Sequence, residues 1–201
     1  MIARRAILLL MLAAIPARAA DAEASAPIAA LMQALIASMK GGTKAPFPQR
    51  YATLAPVVER AFDIPATLQA AIGPRWASLD PAQQAKLLDV FRKFTIGRYV
   101  DNFSEYNGEK LVVLPETRMV GTDQVVATQI TPGHGDPVRI DYVMRRDPTG
   151  WHAIDVLLNG SISQVAVQRS DFRALIGAGD ATRLIESLQK KVADLSGGTL
   201  S

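Results

Sequence analysis

Two histidines, His134 and His152, are the chain's whole supply of imidazole. Histidine is the usual general base near neutral pH, so they come first in any search for catalysis. His134 stands in Gly133-His134-Gly135, between two strand-like segments. That context fits a mobile catalytic loop or an exposed turn, and the turn is favoured because connecting segments run over the surface. His152 alternates with Trp151 in a strand pattern and is expected as an outward-facing partner on a sheet. Asp155, between Ile154 and Val156, is either a general acid or a carboxylate that ties down backbone groups at a sheet corner. The corner is favoured, because a covered acid needs partners whatever its role. Gly160-Ser161-Ile162-Ser163 lacks the second glycine of a nucleophile elbow. It reads as a strand-to-helix corner whose serines cap the next helix. No histidine or acid falls at a zinc or calcium spacing. The chain has no cysteine, which removes thiol catalysis, thiolate metal sites and disulfides. No catalytic residue, metal or cofactor is therefore expected.

Two further groups invite a binding role instead. Arg92, Lys93 and Arg98 form a basic stretch on one helical segment. They could face a phosphate, but a solvated helix face is the simpler expectation. Phe91, Phe94, Tyr99 and Phe103 fall on the same segment and either line a ligand cavity or pack as ordinary core.

The N-terminus reads as an export signal. Arg4 and Arg5 precede an apolar run from Ala6 to Ile15, then Pro16 and the small-residue pattern Ala17-Arg18-Ala19. That order defines a secretory signal, with cleavage expected after Ala19 and a periplasmic destination. The run is too short to be a spanning helix, which takes about 20 apolar residues. No later segment is expected to span either. Losing Arg4, Arg5 and Arg18 from 22 basic residues leaves 19, against 19 acidic ones. A nucleic-acid partner has no support from that balance. Residues 20–201 are expected as one domain with a hydrophobic core, since no disulfide can hold it.

The elements that must position these residues follow from periodicity. Asp21–Ala26 reads as a flexible leader, and Pro27 as the start of a helix carrying Ile28, Leu31, Met32, Leu35, Ile36 and Met39 at three-and-four spacing. Gly41-Gly42 ends it. A second helix starts near Phe47-Pro48, and Asp63-Ile64-Pro65 opens a short third one. Asp80-Pro81 caps a long fourth helix, with Gln83 expected to reach back to the cap and Gly97 expected to loosen the middle. Four segments rich in Val, Ile and Thr follow: 109–114, 124–131, 138–146 and 151–158. Turn residues separate them, so they read as an antiparallel meander. Val138, Ile140, Tyr142 and Met144 alternate with Arg139, Asp141, Val143 and Arg145, giving one apolar and one mostly polar face. Helix returns after Asn159-Gly160, with Ile162, Val165, Phe172 and Ile176 on one side, then a last amphipathic helix through Val192 and a frayed tail from Ser196. Helices, strands and helices in that order imply an α+β domain with helices on one face of an antiparallel sheet.

Several strings, in order, carry a resemblance: Phe47-Pro48-Gln49-Arg50-Tyr51, Gly73-Pro74-Arg75-Trp76, Tyr106-Asn107-Gly108-Glu109, Asp141-Tyr142-Val143-Met144, Trp151-His152-Ala153-Ile154-Asp155-Val156 and Gln168-Arg169-Ser170-Asp171-Phe172. Together they resemble the MlaC/toluene-tolerance family of periplasmic lipid-binding proteins, and within it the HpnM branch associated with hopanoid biosynthesis. The resemblance implies a fold similar to that of nuclear transport factors, with a curved sheet and an elongated apolar pocket. It implies a soluble carrier, not an enzyme. The cargo would be a phospholipid or hopanoid-type lipid, exchanged with an inner-membrane ABC transporter and an outer-membrane partner. The residues expected to line the pocket are Phe91, Tyr99, Phe103, Ile140, Tyr142, Met144, Ile154, Val156 and Phe172. Two other readings stay open at this level. One is a small periplasmic enzyme acting on an isoprenoid or lipid through Asp155 or His134. The other is an envelope adaptor with a solid interior.

Overall fold

A computed structural model describes residues 17–200, with side chains from Asp21 onward. Residues 1–16 of the expected signal lie outside the described residues. Helix α1 spans Ala17–Gly41, so the segment expected as a flexible leader is helical, with Ala24 fully buried. Pro27 sits inside the helix rather than at its start. The first turns are fixed instead by tertiary bonds, since the Gln124 amide donates to Asp21 at 2.6 Å and Arg146 pairs with Glu23 at 3.5 Å. By length and composition Asp21–Lys44 could cross a membrane, contrary to expectation. Its apolar stripe is occupied, however: Ile28, Leu31, Leu35 and Met39 are buried in the core.

Helix α2 spans Phe47–Ala61 and α3 spans Ile64–Ile72. Asp63 separates them and caps α3 by accepting from the Ala66 amide at 2.9 Å. Helix α4 runs unbroken from Pro81 to Asn102 behind an Asp80 cap. Gln83 does not reach back to that cap. Its carbonyl accepts from the buried Ala181 amide at 2.8 Å, tying α4 to the last helix. Gly97 does not loosen α4 either; it lies where Leu195 and Phe47 approach the helix.

Five antiparallel strands follow in meander order: β1 Lys110–Val120, β2 Asp123–Thr131, β3 Val138–Asp147, β4 Gly150–Leu158 and the short β5 Ile162–Ser163. The fifth is one more than expected and takes Ile162 out of the helix assigned to it. Strand β1 also runs on past Pro115, with its register broken between Val113 and Thr117. Helices α5, Gln164–Arg173, and α6, Thr182–Ser196, close the chain. The tail is not frayed: Leu200 folds back against the core.

The helices cover the sheet face that carries Val126, Tyr142, Met144 and Ala153. The junction between α2 and α3 is stitched to that sheet, because Phe62 bridges Ala153 and the Asp63 amide donates to the Ala153 carbonyl at 3.0 Å. On the opposite face Asp141 is buried under two arginines, with Arg139 at 2.9 Å and Arg118 at 3.5 Å. Val143, the apolar member of that mostly polar face, is buried as well.

Candidate functional site

Helix α4 packs on α2 and α6 and stands off the sheet. The space left between α4, the α2–α3 junction, α5 and strands β3–β4 is a cavity of about 220 Å³ open to the surface. One water needs only about 10–15 Å³ of such space, so this is no packing defect. Phe62, Ile64 and Phe91 wall one side, with Phe94, Tyr99 and Phe103 along α4. Ile140, Tyr142, Val156 and Leu158 form the sheet wall, and Val165 of α5 completes it.

The wall is held by aromatic contacts. Phe62 sits 5.6 Å from the Tyr99 ring and 6.0 Å from the Tyr142 ring, and Phe103 stacks on Tyr99 at 6.0 Å. The Tyr99 and Tyr142 hydroxyls are hydrogen-bonded to each other across the gap. Loss of water around them pushes Tyr142 up to about 12 and Tyr99 well above its ordinary value, so both stay neutral. This bond works as a strut between α4 and β3.

Six of the nine residues expected at a pocket meet here: Phe91, Tyr99, Phe103, Ile140, Tyr142 and Val156. The other three lie elsewhere. Met144 is fully buried in the core. Ile154 falls in a bulge of β4, where Val143 pairs with Asp155 and Met144 with Ala153. Phe172 lines the neighbouring space between α4, α5 and α6 instead, edge-on to Phe91 at 6.2 Å. Phe62 and Ile64 were missed. They lie at a helix junction that reaches the sheet through the pairing of Phe62 with Ala153 and the Asp63 amide on the Ala153 carbonyl.

Two of the groups that could do chemistry, Asp155 and His152, are tied into structural hydrogen bonds. Asp155 lines the cavity, but both its oxygens are taken. One accepts from the Val156 amide at 2.7 Å and the Val165 amide at 3.0 Å, and the other from the Ser163 hydroxyl. It is the sheet-corner carboxylate of the simpler reading. Ser163 in turn caps α5 by accepting from the Ala166 amide at 2.9 Å, whereas the Ser161 amide only closes a turn to Leu158. His152 does not face outward freely. It is wedged between the Arg60 carbonyl at 3.0 Å and the Thr149 hydroxyl at 2.9 Å, joining β4 to the end of α2. His134 is exposed on the β2–β3 loop. Among the described residues no group of three or more His, Cys, Asp or Glu is placed to hold a metal ion.

A second, more polar space of about 650 Å³, the vestibule, lies beside the cavity between α4, α5 and α6. Phe94, Arg98, Gln164 and Gln168 belong to both and form the partition. The vestibule by itself falls in the size range of small-molecule sites, about 300–1,000 Å³. The basic stretch on α4 divides here. Arg92 pairs with Glu59 and Lys93 with Asp89, while Arg98 turns to the vestibule.

This architecture is found in a solved relative. A phospholipid-binding protein from Ralstonia solanacearum, determined in complex with a phospholipid, superposes with a TM-score of 0.74. The two are 23% identical, over 87% of this chain and 99% of that one, which establishes a shared fold. No curated protein matches the chain significantly. The family model described as MlaC protein matches residues 29–190, from α1 through α6 and thus all the elements that build the cavity. The chain belongs to the MlaC protein family.

Proposed function

We propose that this protein is a periplasmic lipid carrier that shelters hydrocarbon in the cavity between α4 and the sheet. One observation carries the reading: a domain with a closely packed core leaves an apolar, surface-open void, walled by Phe62, Phe91, Tyr99, Phe103, Ile140 and Val156. Water in such a void is poorly bonded, and each methylene that replaces it gains about 0.8 kcal/mol. Ten buried methylenes would supply roughly 8 kcal/mol before association costs. The Ralstonia protein of the same fold holds a phospholipid, which makes that class the first candidate cargo. A hopanoid-type lipid is the second, on the resemblance to the HpnM branch. The carrier would exchange cargo with an inner-membrane ABC transporter and an outer-membrane partner after export under the N-terminal signal. The occupied oxygens of Asp155 and the placement of both histidines favour binding over turnover.

Mass spectrometry of an organic extract of the purified mature protein tests this. Stoichiometric lipid, or uptake of lipid from vesicles by stripped protein, is the expected result. Stripped protein that takes up none would end the reading.

A further inference from the structure

The cavity wall holds one proton that no group of the protein takes. The Tyr99 and Tyr142 hydroxyls share a single hydrogen bond, and both stay protonated. Two hydroxyls carry two protons, and the bond between them uses one. Whichever tyrosine donates within the pair, the other is left with its O–H unspent. Among the described residues neither hydroxyl has a further partner. Other acceptors in the lining do not absorb the remainder, since both Asp155 oxygens are occupied and the Gln168 carbonyl accepts no bond at all. Tyr99 and Tyr142 both line the void, and Tyr99 is only half-buried, so the pair is within reach of a guest. The wall around it is apolar. Phe62 packs on both rings and Phe103 on Tyr99, with Ile140 and Val156 beside them on the sheet. A covered O–H without an acceptor is costly, so a guest that accepts there is favoured.

Building on the carrier reading, we propose that the Tyr99–Tyr142 pair selects its guest by the linkage of the chain, taking an ester-linked acyl chain whose carbonyl oxygen accepts the unspent hydroxyl proton. A carbonyl suits the place because it accepts without bringing a donor of its own. An alcohol brings another proton that again needs an acceptor. A free carboxylate or a phosphate brings charge, and Arg98 is the one cation in the lining to meet it. An ether oxygen is the weaker acceptor, and a hydrocarbon chain or ring offers none. An ester-linked chain is a hydrocarbon body with one neutral acceptor at its head, which is the pattern of the wall in reverse: apolar residues around one donor. The pair acts on choice of guest alone, and the ester bond stays intact.

The stripped mature protein is mixed with vesicles holding equal amounts of diester and diether phosphatidylcholine, identical in head and chain length, and the captured lipid is analysed by mass spectrometry. The diester is expected to exceed the diether by about tenfold, the scale of one buried hydrogen bond. Tyr99→Phe and Tyr142→Phe each leave one hydroxyl with its proton still unspent, so each is expected to keep the preference. The double variant Y99F/Y142F has no donor left and is expected to bring the ratio near one while total capture holds. A preference lost in either single variant would tie it to the bond within the pair and overturn the proposal, as would a preference kept by the double variant. Should the double variant not fold, the wild type and the two single variants decide. Equal capture of both lipids by the wild type would also overturn the proposal while leaving the carrier reading intact. A wild type that captures neither would remove both.

Discussion

The hydroxyl of Tyr99 on α4 is bonded to that of Tyr142 on β3, and burial keeps both phenols protonated well beyond the ordinary tyrosine range. In the unfolded chain each ionises near 10. The folded state therefore binds these protons more tightly than the unfolded one. Their contribution to stability is complete below pH 10 and fades as pH climbs through the folded values. For Tyr142, between pH 10 and about 12, this amounts to roughly 2–3 kcal/mol. Urea midpoints measured from pH 8 to 12 should fall across that window, and fall less in Tyr99→Phe/Tyr142→Phe. Equal slopes for the two proteins would contradict the assignment.

Gly133 and Asn107 pack more closely than any side chain would allow. A Cβ on residue 133 would stand 1.8 Å from the Asn107 carbonyl oxygen. The β2–β3 loop and the turn before β1 therefore cannot both keep their places in Gly133→Ala. A loss of about 1–3 kcal/mol is expected, the usual cost of overpacking. Gly41→Ala is the control, because nothing lies within 4 Å of its added methyl and the site is helical. It should be neutral or slightly stabilising, by up to about 1 kcal/mol. Denaturant titration of the pair decides.

Ile140→Trp places a large ring in the cavity from the sheet side. Uptake of a fluorescent acyl lipid should drop at least about tenfold, while the unfolding temperature of the empty protein holds or rises as the void fills. In the wild type, added lipid should raise the unfolding temperature, since a ligand that binds only the folded state stabilises it by mass action. That rise should vanish in Ile140→Trp.

Asp155→Asn separates structure from chemistry. The amide keeps the oxygen that serves the Val156 and Val165 amides, but puts an NH2 where the Ser163 hydroxyl found its acceptor. A destabilisation of about 1–3 kcal/mol is expected, the cost of one covered donor left without its acceptor. Lipid uptake below the unfolding transition should persist. Lost uptake in a folded protein would instead give this acid a direct part in holding lipid.

The amino-acid pattern exposed most of the fold because local signals agreed with one another. Asp63, two residues before Pro65, and Asp80, next to Pro81, each cap the helix they announce. The two-residue alternation of β3 placed Ile140 and Tyr142 on one face. What escaped reading depended on partners distant in sequence. Pro27 signals a helix start, yet Asp21 and Glu23 are held in helix by Gln124 and Arg146. Gln83 has the spacing of a capping box, but Ala181 offers a buried amide that outcompetes the cap. Alternation tells which face a residue takes, not where along the strand the helices stand off. So Met144 and Ile140 look alike in sequence, and one ends in the core while the other faces the void. A bulge reverses that parity for Ile154.

Strand β1 forms one border of the sheet, eleven residues long, with Met119 and Val120 uncovered. A border of that length invites a second chain to continue the ladder. Pro115 offers no amide there, and the pairing with β2 resumes only at Thr117, leaving two runs of four residues each side of the break. Glu116 and Arg118 add charge beside the gap. Neither half is long enough to template a fibril. This safeguard matters in a protein whose chain carries no cysteine to lock its strands.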